Sequence, residues 1–394
     1  MNSILVLINL DNKNTYEFEK KNLTNLSNYL QKIIIINVGK ILGNNKLNIN
    51  HNFNEKFEVL NPVNYNELYK LLKFYNIPIL YCLSLDLQFF KINFFLAKLK
   101  NKKFVISNLG YQPQNFNYVN QTFINNFIFF FKFRINYYLK RLLLLFGIFP
   151  KIDYFFESSQ YIIDNINQGL SKKLDALNFG VNFSYYKNVI KINSRVWDNH
   201  FYKKFEQTEE YIVFIDGMIF DHPDRIMREG PVNLKNRNNY YQQINKLLIH
   251  LSEKYKKEVI ICLHPKNNLS ENNKDFKKFK CIKFQTDKYI NRSYIVLFHE
   301  GSSIIEAVLL KKKIINIDGK SLGPYINNRA KLYRDLLNLK KVDLDNYLID
   351  IENIKDKDFN NLSNFEEYIK KNIVFDKGVS GAYQIINHLK NKDI

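Results

Sequence analysis

The chain has 394 residues, of which 46% are hydrophobic, and its formal net charge is +20. The length suggests two domains, and the hydrophobic fraction is ample for two cores. The basic excess favours an anionic partner, yet no stretch alternates basic and aromatic residues as an RNA-binding strand does, so nucleic acid is not expected as a partner. The three scattered cysteines have neither metal-ligand nor disulfide spacing, which is typical of a reducing compartment.

The first half of the chain alternates apolar runs with helical periodicity. Strands are predicted near residues 4–8, 33–38, 79–83, 104–107 and 152–157, and helices over residues 65–74, 87–99 and 160–168. This alternation is typical of βαβ units and a parallel sheet. Between residues 171 and 208 the apolar pattern decays, so this stretch is interpreted as the connection between the domains.

Residues 120–149 combine two apolar runs with basic side chains and contain no acidic residue. The basic residues lie in the middle of the segment and argue against a membrane span. Two interpretations stay open. One is a helix lying on the inner leaflet of a membrane, and the other is a helix packed against its own domain with its basic side chains reaching outward. The basic residues are Lys132, Arg134, Lys140 and Arg141.

The second half contains the stretch that organises the chain. A strand over residues 211–215 ends at Asp216, and a helix over residues 238–255 follows. Two further buried runs end at conspicuous polar motifs, which are His264-Pro265-Lys266 and His299-Glu300-Gly301-Ser302-Ser303. Ligands of parallel sheets bind at the carboxyl ends of the strands, so both motifs belong to one candidate site.

The residue types in these motifs suit a phosphate. Ser302 and Ser303 stand where a helix begins, so hydroxyl and backbone N–H groups can converge on an anion, and Gly301 lets the backbone approach it. His264 can donate a proton to a leaving phosphate, and Lys266 adds positive charge. Taken singly, the serines could be a helix cap and His264-Pro265 a strand stop. Together, in this order, they predict a nucleotide-phosphate site.

Glu306 lies one turn into the helix that follows the two serines. Two roles are open for its carboxylate. It could bond the ribose hydroxyls of a nucleotide, or it could simply favour the positive end of the helix.

These motifs, with the strand over residues 211–215 and its His222-Pro223-Asp224 loop, resemble those of bacterial sialyltransferases and related GT-B glycosyltransferases. Those enzymes carry an HP motif and an SS/ST motif in the second of two Rossmann-like domains, which face each other across a cleft. The resemblance implies an α/β fold of that type. It also implies that His264 and Pro265 form the motif acting on the phosphate of a CMP-activated sugar, and that Ser302 and Ser303 hold that phosphate.

The chain departs from this family at the general base. The family has a D/E-D/E-G motif in its first domain, and the matching place here reads Ser107-Asn108-Leu109-Gly110. Asn108 cannot accept a proton from an acceptor hydroxyl. Asp216 is therefore predicted as the base ahead of Asp86, although a carboxylate at a strand end can also be a mere cap. His222 and Asp224 are further candidates for the acceptor side or for the base.

The expected function is transfer of a sialic acid or a related ulosonic acid from a CMP donor to an oligosaccharide or glycolipid acceptor at the cell surface. Two alternatives are a CDP-polyol phosphotransferase of the teichoic-acid type and an inactive glycan-binding protein of the same fold. No cofactor or metal is expected beside the nucleotide-sugar co-substrate. The triplet Asp343-Leu344-Asp345, which resembles a DxD metal motif, is interpreted as a helix cap.

An acceptor domain is expected over residues 1–205 and a donor domain over residues 206–376. Residues 377–394 are expected to form a helix that packs back toward the first domain. The expected location is the cytoplasm, with peripheral contact to the inner face of the membrane through residues 120–149 as the open alternative.

Overall fold

The structure is a computed structural model with two compact units, and each unit is built on a parallel β-sheet. The first unit is formed from Met1–Gly110, Asn126–Phe201 and Asn372–Ile394, and the second contains Tyr202–Lys371. The structure describes residues 2–9, 13–43, 55–83, 90–99, 101–108, 142–143, 146–167, 186–202, 208–222, 225–226, 233–265, 267, 275–276, 278–359 and 361–392.

The sheet of the first unit has the strand order β3-β2-β1-β4-β5-β6-β7. Its strands are β1 (Ser3–Ile8), β2 (Lys32–Asn37), β3 (Phe57–Leu60), β4 (Ile79–Leu83), β5 (Lys103–Asn108), β6 (Ile152–Glu157) and β7 (Tyr186–Lys191). Its helices are α1 (Lys13–Ser27), α2 (Tyr65–Phe74), α3 (Phe90–Ala97), α4 (Gln160–Asn167) and α5 (Arg195–Tyr202).

Both faces of this sheet are covered. Successive residues of β1 point to opposite faces, so Ile4 and Val6 join one apolar cluster while Leu5 and Leu7 join another. Because both faces are buried, the strand is a continuous apolar run without a polar alternate position.

The last helix of the chain, α12 (Gly381–Asn391), completes one of these clusters. Its residues Ile385 and Leu389 pack in the same cluster as Ile4 and Val6 of β1. The helix begins at a crowded place, because a Cβ atom added to Gly381 would lie 2.3 Å from the backbone oxygen of Asn193. The first unit therefore gains part of its core from the chain terminus.

The sheet of the second unit has the strand order β10-β9-β8-β11-β12-β13. Its strands are β8 (Tyr211–Ile215), β9 (Glu258–Cys262), β10 (Lys280–Ile282), β11 (Ser293–Phe298), β12 (Lys313–Asp318) and β13 (Lys340–Asp343). Its helices are α6 (Leu234–Tyr255), α7 (Thr286–Asn291), α8 (Ile304–Leu309), α9 (Gly323–Leu337), α10 (Tyr347–Asn353) and α11 (Leu362–Asn372), with 3₁₀ turns at Lys320–Leu322 and Asp356–Phe359.

The predicted α/β fold with two Rossmann-like parallel sheets is confirmed. The range 171–208, interpreted as the connection between the domains, contains strand β7 and helix α5, which the apolar pattern did not indicate. Strand β7 is the edge of its sheet and its side chains are exposed or half-buried, so it needs no apolar run. Helix α9 begins at Gly323, and Pro324 occupies its first turn, where proline is tolerated.

No helix in the described part of the chain is long and apolar enough to cross a membrane. Most of the basic segment over residues 120–149, including its four basic residues, lies outside the described residues.

Candidate functional site

Three strands of the second sheet end in register at the candidate site. Ile215, at the end of β8, pairs with Cys262 of β9 on one side and with Phe298 of β11 on the other. Asp216 therefore emerges between the loop that carries His264 and the loop that carries Ser302. Neighbouring strands lie ~4.8 Å apart, so the two outer loops leave the sheet about 10 Å from each other. That spacing leaves room for a phosphate-sized ligand.

The Ser302-Ser303 loop has the features of an anion-binding turn. Gly301 has a φ of 132°, which glycine adopts and other residues rarely do. Ser302 is half-buried and Ser303 is exposed, and their carbonyl oxygens accept the N–H groups of Ile305 and Glu306 at 3.1 and 3.3 Å. Within the described part of the chain, neither hydroxyl makes a hydrogen bond, and Ser303 does not cap α8 with its side chain. Both hydroxyls are available to a ligand.

Helix α8, which follows these serines, has only six residues, so its dipole contributes little, and an anion at this place would depend mainly on the loop itself. Glu306, in its first turn, is buried at 6% exposure. This burial places the carboxylate inside the unit, whereas both predicted roles for it remain untested.

The buried residue His299 fixes the backbone where the serine loop begins. The Nδ1 of His299 donates to the carbonyl oxygen of Ile317 at 2.9 Å, so its Nε2 accepts from the Tyr240 hydroxyl at 2.8 Å. The carbonyl oxygen of His299 accepts from the Asn316 side chain at 2.9 Å. Burial lowers the pKa of His299 to about 4, so the ring is neutral at pH 7 and this tautomer is fixed.

An ion pair fixes the next residue of the loop. Glu300 bonds the Nε of Arg329, which is on α9, and the two side chains are 19% and 21% exposed. The loop that ends at Ser303 is thus attached to β12 through His299 and to α9 through Glu300. Such attachment pre-organises the backbone N–H groups for a ligand.

Asp216 is buried at 2% exposure and both of its carboxylate oxygens are used. Its Oδ1 accepts the backbone N–H of Met218 at 3.1 Å, and its Oδ2 accepts from the Asn267 side chain at 2.7 Å. Burial raises the pKa of Asp216 to about 6, although these two hydrogen bonds oppose the shift.

The histidines of the two His-Pro dipeptides meet in the structure. The rings of His222 and His264 lie edge to face with their centroids 5.1 Å apart. Both side chains are half-buried, while Pro265 is exposed. The sequence marked His222 as a further candidate because of its loop, but it did not predict this contact.

Several predicted site residues cannot be assigned a geometry. Lys266, Asp86 and Asp224 lie outside the described residues, and so does the side chain of Asn108. The backbone of Asn108 ends β5 and is paired with Glu157 of β6.

Glu157 is a carboxylate at a strand end that the sequence analysis did not single out. It is fully buried and accepts the backbone N–H of Ser159 at 2.8 Å. The signal available in the sequence was an apolar run ending in Glu157-Ser158-Ser159, a pattern similar to that of the Ser302-Ser303 loop.

The Asp343-Leu344-Asp345 triplet does not cap a helix as predicted, since Asn346 occupies the N-cap position of α10. The Asp345 carboxylate instead accepts the backbone N–H of Lys320 at 3.0 Å and the Gln243 side chain at 2.9 Å. It therefore holds the loop after β12. Within the described residues, no group of three or more His, Cys, Asp or Glu side chains could hold a metal ion.

No protein-family model matches the sequence, and no curated protein is significantly similar to it. Solved structures do share its fold. MnaA from S. aureus, solved with UDP, has a TM-score of 0.54 at 12% identity, over 99% of this chain and 96% of its own. The wall teichoic acid polymerase TagF has a TM-score of 0.50 at 12% identity, over 100% and 89% of the two chains.

A UDP-N-acetylglucosamine 2-epimerase has a TM-score of 0.50 at 11% identity, over 92% of this chain and 90% of its own. Identities this low establish the fold alone. The chain therefore has the two-sheet architecture of the GT-B glycosyltransferases, while its resemblance to sialyltransferases stays a prediction.

Proposed function

We propose that the chain is a glycosyltransferase that moves a sialic acid or a related ulosonic acid from a CMP donor onto a cell-surface glycan. The observation that carries this proposal is the placement of His264 and the two serines at the ends of the strands that flank β8. His264 follows β9, and the two available serine hydroxyls follow β11. The GT-B architecture supports it, and so does UDP in a structure of the same fold.

The chemistry follows from these side chains. The hydroxyls of Ser302 and Ser303 and the N–H groups of their loop bind the donor phosphate, and Gly301 allows the close approach. The bond between the anomeric carbon and the phosphate oxygen breaks, and His264 donates a proton to the departing phosphate. An acceptor hydroxyl attacks the same carbon and loses its proton to a base. Asp216 and Asp86 are the residues that the sequence predicts for that base.

The first test measures donor binding. The double variant Ser302→Ala, Ser303→Ala should weaken CMP binding by roughly 1–3 kcal/mol, because charge-assisted hydrogen bonds to the phosphate are lost. Isothermal titration calorimetry measures this. The matched control is Ser252→Ala. The Ser252 hydroxyl donates to the Lys257 carbonyl just before β9 begins, so it lies at the amino ends of the strands, away from the candidate site. Equal CMP affinity in the double variant and the wild type would remove the serines from the site.

The second test measures turnover with CMP-sialic acid, CDP-glycerol and UDP-hexoses. His264→Ala should lower turnover of the preferred donor by ~10²–10⁴-fold, the usual contribution of a general acid. Preference for CDP-glycerol would establish the polyol phosphotransferase alternative. Nucleotide binding without turnover of any donor would overturn the transferase proposal and leave the inactive glycan-binding alternative, which needs a separate measurement of glycan binding.

A further inference from the structure

The loops that carry the two histidines leave adjacent strands, and one carboxylate contacts both loops. Asp216 is the first residue after β8, where the His222 loop begins, and its side chain reaches the His264 loop after β9. We infer that Asp216 is a clamp that holds the His222 and His264 loops in one arrangement, and that the two imidazoles together form the part of the site that faces the donor phosphate. The role of the pair in catalysis rests on the function proposed above, whereas the clamp does not.

The contacts to the first loop run from Asp216 toward His222. The Asp216 Oδ1 accepts the Met218 N–H at 3.1 Å, and Met218 has a φ of 54°, a left-handed conformation that turns the chain sharply. Arg225 closes the other end of the loop. Its backbone N–H donates to the His222 carbonyl at 3.0 Å, and its buried guanidinium donates to the carbonyls of Ile219 and Leu322 at 3.2 Å each.

The contacts to the second loop run from Asp216 toward His264. The Asp216 Oδ2 accepts from the Asn267 side chain at 2.7 Å, and the Asn267 N–H donates to the His264 carbonyl at 2.9 Å. Lys283 bonds the Asn267 carbonyl from the far side. Asn267 is 4% exposed, so this turn is fixed inside the unit.

The same geometry argues against Asp216 as the general base. A base must reach the proton that it removes, directly or through one water. Asp216 is 2% exposed, and each of its oxygens already accepts a hydrogen bond from one of the two loops. Its carboxylate is directed at the protein rather than at a ligand, which is the position of a residue that acts through its neighbours.

The consequence is a second histidine at the site. The rings are 5.1 Å apart between centroids and nearly perpendicular, at 85°. In this arrangement the edge of one imidazole meets the face of the other, which is a favourable geometry for aromatic rings. His222 thereby packs against His264, which places two imidazoles beside the donor phosphate in the proposed site.

The clamp can be broken and then rebuilt with the charge on the other residue. Asn267→Asp places two carboxylates against each other and should separate the loops. The double variant Asp216→Asn, Asn267→Asp restores one amide and one carboxylate at the same two positions. Asp318→Asn is the control, because Asp318 is also a buried carboxylate at a strand end, at 7% exposure, but its partners are Arg334 and Lys341.

The variants are compared by two measurements, both made at the same fixed pH. The first is the NMR resonance of the His264 imidazole in protein without donor, which a displaced His222 ring shifts through its ring current; His222→Leu gives the full size of that shift. The second is turnover of the preferred donor. Asn267→Asp should shift the resonance and lower turnover by about 10²-fold, the typical cost of a misplaced group, and the double variant should recover both.

One outcome that would overturn the proposal is a double variant that folds with wild-type stability and keeps the wild-type resonance but stays inactive. The carboxylate at position 216 would then act directly in the reaction rather than through the two loops. An unchanged His264 resonance in Asn267→Asp would also overturn the proposal. A third outcome separates the two proposals. If the His264 resonance shifts in Asn267→Asp and returns in the double variant, the clamp is supported. If the wild type at the same time neither binds CMP nor turns over any donor, the proposed function fails.

Discussion

At the scale of single residues, the second unit depends on a buried histidine that is neutral at pH 7. His299 is fully buried between the Tyr240 hydroxyl and the Ile317 carbonyl, and its ring positions the backbone that leads to Ser302. Protonation would add an N–H group at Nε2, which now accepts the hydrogen bond of the Tyr240 hydroxyl. That hydrogen bond would be lost, while Nδ1 would still donate to the Ile317 carbonyl. Protonation would also place a charge in the core, which is costly without a partner.

This arrangement predicts a loss of stability in acid. The pKa of His299 is lowered by burial to about 4 in the folded chain, below its usual value of 6.5. The stabilisation is therefore present above pH 6.5 and is lost as the pH falls toward 4, because the unfolded chain binds the proton first. Between pH 7 and pH 5 the loss should be about 2 kcal/mol.

The measurement compares the wild type with His299→Gln, by urea unfolding followed by circular dichroism at both pH values. The raised pKa of Asp216, about 6 because of burial, acts in the opposite direction, since that group favours the folded state more as the pH falls. Asp216 is present in both proteins, so its contribution cancels in the comparison. Equal acid sensitivity of the two proteins would contradict the assignment to His299.

At the scale of secondary-structure elements, helix α12 shows how closely the chain end is fitted to the first unit. The Asp198 carboxylate accepts the N–H groups of Gly381 and Ala382 at 2.5 and 3.0 Å, and the Ser380 hydroxyl accepts the N–H of Tyr383 at 3.0 Å. All three contacts satisfy donors at the helix N-terminus, which have no partner inside the helix.

Gly381→Ala should therefore destabilise the first unit. The added Cβ would meet the Asn193 backbone oxygen at 2.3 Å, and backbone cannot move aside as a flexible side chain can. We expect a loss of about 1–3 kcal/mol, as for other overpacked sites. Trp197 is the only tryptophan and donates to the Val379 carbonyl just before α12, so its fluorescence reports on this unit.

Gly378→Ala is the control for this experiment. The nearest neighbour of its added Cβ is the Asp376 carboxylate at 3.3 Å, which is a side chain and can rotate away. An unfolding midpoint in Gly381→Ala equal to that of the control would show that the helix start can move to make room.

The elements that the sequence predicts well are the buried ones, because burial requires a recognisable run of apolar residues. Strand β6 carries the apolar run Tyr154-Phe155-Phe156 because these residues are buried, and its predicted bounds, residues 152–157, match the structure. The edge strand β3 is half-buried throughout and β13 is partly exposed, so neither shows a comparable run. Edge strands are fixed by pairing with a neighbour, which a local pattern does not reveal.

The candidate site divides in the same way. Its strand ends were predictable because His264 and Ser302 follow buried runs directly. The contacts that support it were not, because Asp216 and Asn267 are 51 residues apart and Tyr240 and His299 are 59 apart. Such partners are brought together only by the order of strands in the sheet.

At the scale of the whole molecule, the chain builds two units that are not contiguous in sequence. In the sequence, Asn372–Ile394 of the first unit follows Tyr202–Lys371, which belongs to the second unit. The predicted donor-phosphate residues within the described part of the chain all belong to the second unit, whereas the basic segment over residues 120–149 precedes it. Binding of the donor and any binding to a membrane can therefore be tested with separate substitutions.

The prediction at this scale concerns that basic segment. If residues 120–149 bind anionic lipid, each basic side chain near the surface contributes ~1 kcal/mol, and salt screens the attraction. We expect co-sedimentation with vesicles containing phosphatidylserine at low salt, little at high salt, and none with neutral vesicles. The quadruple variant Lys132→Gln, Arg134→Gln, Lys140→Gln, Arg141→Gln should lose this binding.

A second quadruple variant controls for the net charge of +20, which attracts anionic surfaces wherever its lysines lie. Lys254→Gln, Lys256→Gln, Lys288→Gln and Lys340→Gln remove the same charge from exposed positions of the second unit. Binding that survives in this control but not in the first variant assigns the contact to residues 120–149. Equal loss in both would assign it to the overall charge, and wild-type protein that ignores anionic vesicles at low salt would leave the packed-helix interpretation.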